Sequence, residues 1–100
     1  MNGIGSAESN IEIRLEIHSK NTELPAVYRI YADNDLITER TWIWNTNICI
    51  DECFHLSVFP GQHKITICPH NTANIFKIEN PRINGKYAGA INGLTLQFMV

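Results

Sequence analysis

Asn10-Ile11-Glu12-Ile13-Arg14-Leu15-Glu16-Ile17-His18 alternates without a break, with Ile11, Ile13, Leu15 and Ile17 on one side and Glu12, Arg14, Glu16 and His18 on the other. Successive side chains of a strand point to opposite faces, so a period of two reads as a β-strand with one face in a core and one in water. The rest of the chain repeats this pattern, and no window of a dozen residues carries the 3.6 period of an amphipathic helix. Further strands are predicted over residues 26–32, 36–44, 47–59, 62–68, 74–79 and 91–100. Turn chemistry separates them: Asp33-Asn34-Asp35, Pro60-Gly61, the Asn80-Pro81 break and Asn84-Gly85. Seven or eight short strands at spacings of about 8–12 residues predict an all-β antiparallel sandwich, jelly-roll or immunoglobulin-like.

Two registers follow from the turns. Residues 26–32 and 36–44 form a hairpin in which a two-residue loop pairs Ile30 with Ile37 and a three-residue loop pairs Arg29 with Glu39. A second hairpin centred on Pro60-Gly61 pairs Phe54 with Ile67, Leu56 with Ile65, Val58 with His63 and Cys53 with Cys68. Its inner face is apolar except for Glu52, which marks a bulge or the point where the strand leaves the core.

Composition narrows the function classes. One hundred residues, 44% hydrophobic and 18% charged, make one domain over residues 10–100, preceded by a small polar arm over residues 1–9 that reads as flexible. Eight Lys+Arg against ten Asp+Glu give a net charge of −2, without the basic stripe of a nucleic-acid binder. No apolar run is long enough to span a bilayer, and the first residues have neither the cationic start nor the apolar run of a signal peptide. The chain is therefore expected in a cytosol, where its three cysteines stay reduced. Eleven Asn stand mostly between apolar runs, where they suit turns.

No nucleophile elbow, phosphate loop or dinucleotide fingerprint occurs, and a domain of this size leaves little room for a deep cleft. No enzyme and no cofactor is expected. Asp33 and Asp35 read as turn formers. Cys53-Phe54-His55 and Cys68-Pro69-His70 share one spacing, and Cys53 opposite Cys68 leaves open a shared zinc ion, a cross-strand disulfide or two reduced thiols. The same register leaves the Cα atoms of His55 and His70 about 14 Å apart, so one imidazole can join the thiols and not both. Reduced structural thiols are the expectation. Trp42 and Trp44 share one side of a strand, where they form either core or an aromatic platform for a sugar or a protein, with Arg40 at the rim in reach of a cation–π contact. Very apolar strand segments such as Trp42-Ile43-Trp44 need edge protection, which a neighbour in an assembly supplies.

The run Val27-Tyr28-Arg29-Ile30-Tyr31-Ala32-Asp33-Asn34-Asp35-Leu36-Ile37-Thr38-Glu39-Arg40-Thr41-Trp42, followed by Phe59-Pro60-Gly61-Gln62-His63-Lys64-Ile65-Thr66-Ile67, resembles small β-sandwich proteins of tailed phages of marine cyanobacteria. The resemblance covers about half the chain. It implies a virion structural protein, a capsid decoration or tail accessory protein bound to the major capsid protein or another virion protein, as a homo-oligomer or on a lattice. The Pro-Gly-x-His-x-Ile hairpin also resembles calcium-dependent carbohydrate-binding sandwich modules, which implies a sugar site built from Asp33, Asp35 and Trp42 or Trp44.

Overall fold

A computed structural model describes residues 7–20, 25–45 and 47–100. Nine strands are present among them: β1 (Ser9–Ser19), β2 (Ala26–Ala32), β3 (Asp35–Trp42), β4 (Cys49–Val58), β5 (Gln62–Pro69), β6 (Phe76–Ile83), β7 (Lys86–Tyr87), β8 (Ala90–Asn92) and β9 (Thr95–Met99). They form two antiparallel sheets, β4-β1-β6-β7 and β3-β2-β5-β9-β8, packed as a sandwich. The all-β expectation holds. Residues 1–6 of the expected arm lie outside the described residues, and Ser9, its last residue, already pairs with Val58.

The alternation that opens the chain builds the middle of one sheet. Ile11, Ile13, Leu15 and Ile17 of β1 are buried against Tyr28 and Ile30 of β2, Ile65 and Ile67 of β5, and Leu96 and Phe98 of β9. Each such side chain contributes roughly 1.5–3 kcal/mol when fully removed from water. No buried side-chain nitrogen or oxygen among the described residues lacks a hydrogen-bond partner.

The expected second hairpin is absent. Strand β4 pairs with β1 across Ile13↔Phe54 and Arg14↔Cys53, while β5 pairs with β2 and β9, so Pro60-Gly61 carries the chain from one sheet to the other. Gly61, at φ 133°, already belongs to the second sheet: its N–H donates to Val100 O and its carbonyl accepts from Val100 N–H, both at 2.9 Å. The inward parity of Phe54, Ile65 and Ile67 survives, because each strand of a crossing connection still turns alternate residues to the shared core.

The first hairpin combines its two candidate registers. Ala32↔Asp35 and Tyr31↔Leu36 follow the two-residue loop; a bulge at Ile37 then shifts the pairing to Ile30↔Thr38 and Arg29↔Glu39. Asn80-Pro81 is likewise a bulge within β6 and not a break. Arg14 pairs with Arg82 and Glu16 with Glu79, so Leu15 faces two residues, Asn80 at φ 52° and the buried Pro81. Residues 91–100 divide at Gly93 into β8 and β9.

Candidate functional site

The break in polarity lies at the end of the sandwich where β1 and β3 finish and β4 and β6 begin. Trp42 is fully buried, and its indole stacks edge-on against Phe76 at 6.3 Å and Trp44 at 6.1 Å. Its Nε1–H donates to Trp44 O at 2.8 Å, which fixes the chain as it leaves β3. Beyond that point the side chains turn outward. Ile43 (62% exposed), Trp44 (45%), Ile48 (45%) and Ile75 (56%) all lie at this end. The two tryptophans therefore divide between the readings left open: Trp42 is core and Trp44 is surface. The cause is the end of β3 at Trp42, which releases Trp44 from the pleat.

Arg40 meets a carboxylate instead of forming the cation–π contact expected of it. Its Nε and Nη2 each donate to Glu52 at 3.1 Å, and the Tyr28 hydroxyl donates to Glu52 Oε2 at 2.9 Å. Glu52 is only 3% exposed, and its β4 neighbours stay in register with β1 as Leu15↔Glu52. It marks neither a bulge nor an exit from the core; it is a buried anion satisfied by a cation and a phenol from the opposite sheet. Burial, then the negative charge of Glu52 and its hydrogen bond, push the Tyr28 phenol well above its ordinary range, so it stays a donor. Because β3 and β4 are edge strands of different sheets, the triad ties the sandwich together along one side.

Asp33 and Asp35 sit at the opposite end of β3 from Trp42, about 23 Å away at ~3.3 Å per residue. The structure does not bring them to the tryptophans, so the composite sugar site has no geometric basis. Both Asp33 oxygens are engaged: Oδ2 with His63 Nδ1 at 2.8 Å, and Oδ1 as acceptor of Lys64 N–H at 3.1 Å. Burial pulls the Asp33 carboxyl upward, and the hydrogen bonds from His63 and Lys64 with the charge of His63 outweigh it, leaving it below its ordinary value. His63 also reaches Phe59 O through Nε2 at 2.7 Å. The Asp33 bond first, and the Phe59 carbonyl second, raise the imidazole above its usual value. His63 bridges Asp33 and Phe59 O and so pins the β2–β3 turn to the β4–β5 crossing; when protonated it donates at both nitrogens.

The cysteine–histidine quartet does not assemble. Cys53 and His55 lie on the outer face of the first sheet, and Cys68 and His70 belong to the β5 end of the second. All three cysteines are free and exposed, so Cys53 and Cys68 neither oppose nor bond one another. Strand β1 supplies Cys53 and His55 with a different neighbour. Donor atoms of Glu12, Cys53 and His55 lie within 4.8 Å of one another, as do those of Glu16, His18 and Cys49. The β1–β4 pairing that creates both groups joins strands about forty residues apart, which spacing along the sequence did not indicate.

The described surface carries open depressions. One of about 440 Å³ runs along Asn10, Glu12, His55 and Ser57, and another of about 360 Å³ along Arg14, Glu16, Asp51 and Arg82. Both lie on the outer face of the first sheet. No family model, curated protein or solved structure matches the chain.

Proposed function

We propose that this chain is a non-enzymatic structural subunit that works bound to other proteins, and specifically a virion structural protein of the capsid-decoration or tail-accessory kind. The observation that carries the reading is the end of the sandwich where Ile43, Trp44, Ile48 and Ile75 stand exposed together. Exposed apolar side chains scattered singly are ordinary, but several at one end of a small domain suit an interaction surface. Trp44, braced edge-on by the buried Trp42, is the type of anchor that carries binding energy at protein interfaces. The net charge of −2 and the absence of a basic stripe favour a protein partner over nucleic acid. The resemblance to phage β-sandwich proteins gives that partner a class: the major capsid protein or another virion component. The interface then buries at least about 1,000 Å² in total.

The test compares full-length chain with Trp44→Glu and Ile48→Glu variants during particle assembly. Incorporation is expected to fall sharply in both; Trp44→Glu also gives up the edge contact with Trp42, so each variant's thermal midpoint is measured first to establish that it is folded. Normal incorporation of the variants would remove the apolar end as the docking surface. A chain never found in particles would remove the virion assignment.

A further inference from the structure

We propose that the outer face of the β4-β1-β6-β7 sheet carries a zinc site made of Glu16, His18 and Cys49. The ladder geometry brings these three together. His18 and Cys49 are directly paired across β1 and β4, which places their side chains on one face at close approach. Glu16 is two residues before His18 and therefore on the same face. The three donor atoms lie within 4.8 Å of one another, and His18 Nε2 already stands 3.4 Å from Glu16 Oε1. Zinc bonds of about 2.0–2.3 Å in a tetrahedron require donor separations of about 3.3–3.8 Å, so one pair is in place and the thiol needs only a side-chain rotation. One nitrogen, one sulfur and one oxygen donor form a set that prefers zinc to the hard cations calcium and magnesium. On binding, the Cys49 thiol gives its proton to solvent and the thiolate takes the metal, with His18 neutral.

Charge of both signs surrounds the site. Glu16 faces Asp51 on β4 and Glu79 on β6. On β6, Lys77 opposite His18 is held by Glu79 at 3.1 Å, and Arg82 lines the same depression as Glu16 and Asp51. Arg14 is drawn away toward Glu12 at 3.1 Å, with Asp51 at 3.5 Å. Asp51, paired with Glu16 and two residues from Cys49, accepts from Arg14 at 3.5 Å, so water fills the fourth position.

The sister group Glu12, Cys53 and His55 has the same donor types but a weaker arrangement. Arg14 occupies the Glu12 carboxylate at 3.1 Å, and His55 reaches that residue only at 3.9 Å with 76% of its side chain exposed, against 34% for His18. Ordering His55 costs more, and the guanidinium must be displaced. The first group is therefore the site, and the second serves as an internal comparison.

The experiment titrates full-length, reduced protein with zinc chloride against a chromophoric chelator, then replaces zinc with cobalt(II) to read the thiolate-to-metal charge-transfer absorption. The expected result is binding with a charge-transfer band that persists in Cys53→Ser and Cys68→Ser and disappears in Cys49→Ser. Affinity should drop at least about 100-fold in Cys49→Ser and His18→Gln, since loss of a mere outer-shell partner costs 10–100-fold. All four positions are on outer faces, and far-UV circular dichroism checks that each variant keeps its sheets. Failure of the original chain to compete with the chelator overturns the proposal. So does a band that survives Cys49→Ser, or one that vanishes with Cys53→Ser instead.

Discussion

Replacing Arg40 with alanine removes the cation from a carboxylate that the fold has taken almost entirely out of water. Glu52 is 3% exposed, and Arg40 supplies contacts from Nε and Nη2 at 3.1 Å. Breaking a fully buried ion pair by deleting one partner costs about 3–5 kcal/mol. Here the Arg40 side chain is 47% exposed, so water enters where the guanidinium stood and screens part of that loss. Tyr28 remains as a second donor at 2.9 Å. The expected cost is about 2–3 kcal/mol, which lowers the thermal midpoint of a domain this size by about 8–24 °C. Urea unfolding followed by the fluorescence of the buried Trp42 measures it. Arg29→Ala is the control, because Arg29–Glu39 is closer at 2.8 Å but exposed on both sides, at 46% and 50%. Its midpoint should hardly move. Equal losses in the two variants would refute the reasoning, since contact distance and not burial would then decide the energy. Replacing Arg40, Glu52 and Tyr28 together by Met, Leu and Phe should restore most of the stability, because no buried polar group is left without a partner.

His63 has its pKa raised in the fold, so its contribution to stability is complete below the unfolded value near 6.5 and is lost as pH rises through the folded value. Asp33 is lowered, so its contribution is present above its ordinary value and is lost as pH falls through the folded one; His63→Gln should therefore be most destabilising relative to the original near pH 5 and least near pH 9, as paired urea curves and a histidine proton titration would check. Gly89→Ala should destabilise by more than about 1 kcal/mol, because Gly89 is at φ 87° and an added Cβ would stand 2.6 Å from Leu96 Cδ1 and 2.9 Å from Gln97 O. Leu15→Ala, at the fully buried centre of β1, should cost about 2–5 kcal/mol in the same unfolding assay.

Parity was legible in the sequence and partnership was not. The period-two pattern identified which residues of β1, β4 and β5 face inward, because burial of one face selects side chains of one type whatever strand lies alongside. It did not identify which strand pairs with which. Pro60-Gly61 has the composition of a hairpin turn, and a crossing between sheets uses the same residues at the same spacing. The pairing of β4 with β1, of β5 with β2 and β9, and the bonds of Gly61 to Val100 distinguish the two, and these are contacts far apart in sequence. The misassigned pairing of Cys53 with Cys68 follows from that one point. The candidate sites failed or survived for the same reason. Glu52 broke an apolar pattern and so was visible as an exception, but its partners Tyr28 and Arg40 belong to another sheet. Trp42 and Trp44 shared a parity, and the end of β3 between them separated their fates. Asp33 read as a turn former, which it is; its hold on His63 depends on β5 lying beside β2.

The central claim is that the apolar end seats on another protein. Chemical cross-linking of intact particles containing the chain, read by mass spectrometry, tests it most directly. Lys20 donates its N–H to Ile75 O and Lys77 follows Phe76, so both amines flank that end, whereas Lys64 lies beside the Asp33 turn and Lys86 pairs with Ile83 at the far one. Cross-links from Lys20 and Lys77 to a neighbouring virion protein, outnumbering those from Lys64 and Lys86, are the expected result. Cross-links to a neighbour confined to Lys64 and Lys86, or particles that contain no copy of the chain, would contradict it.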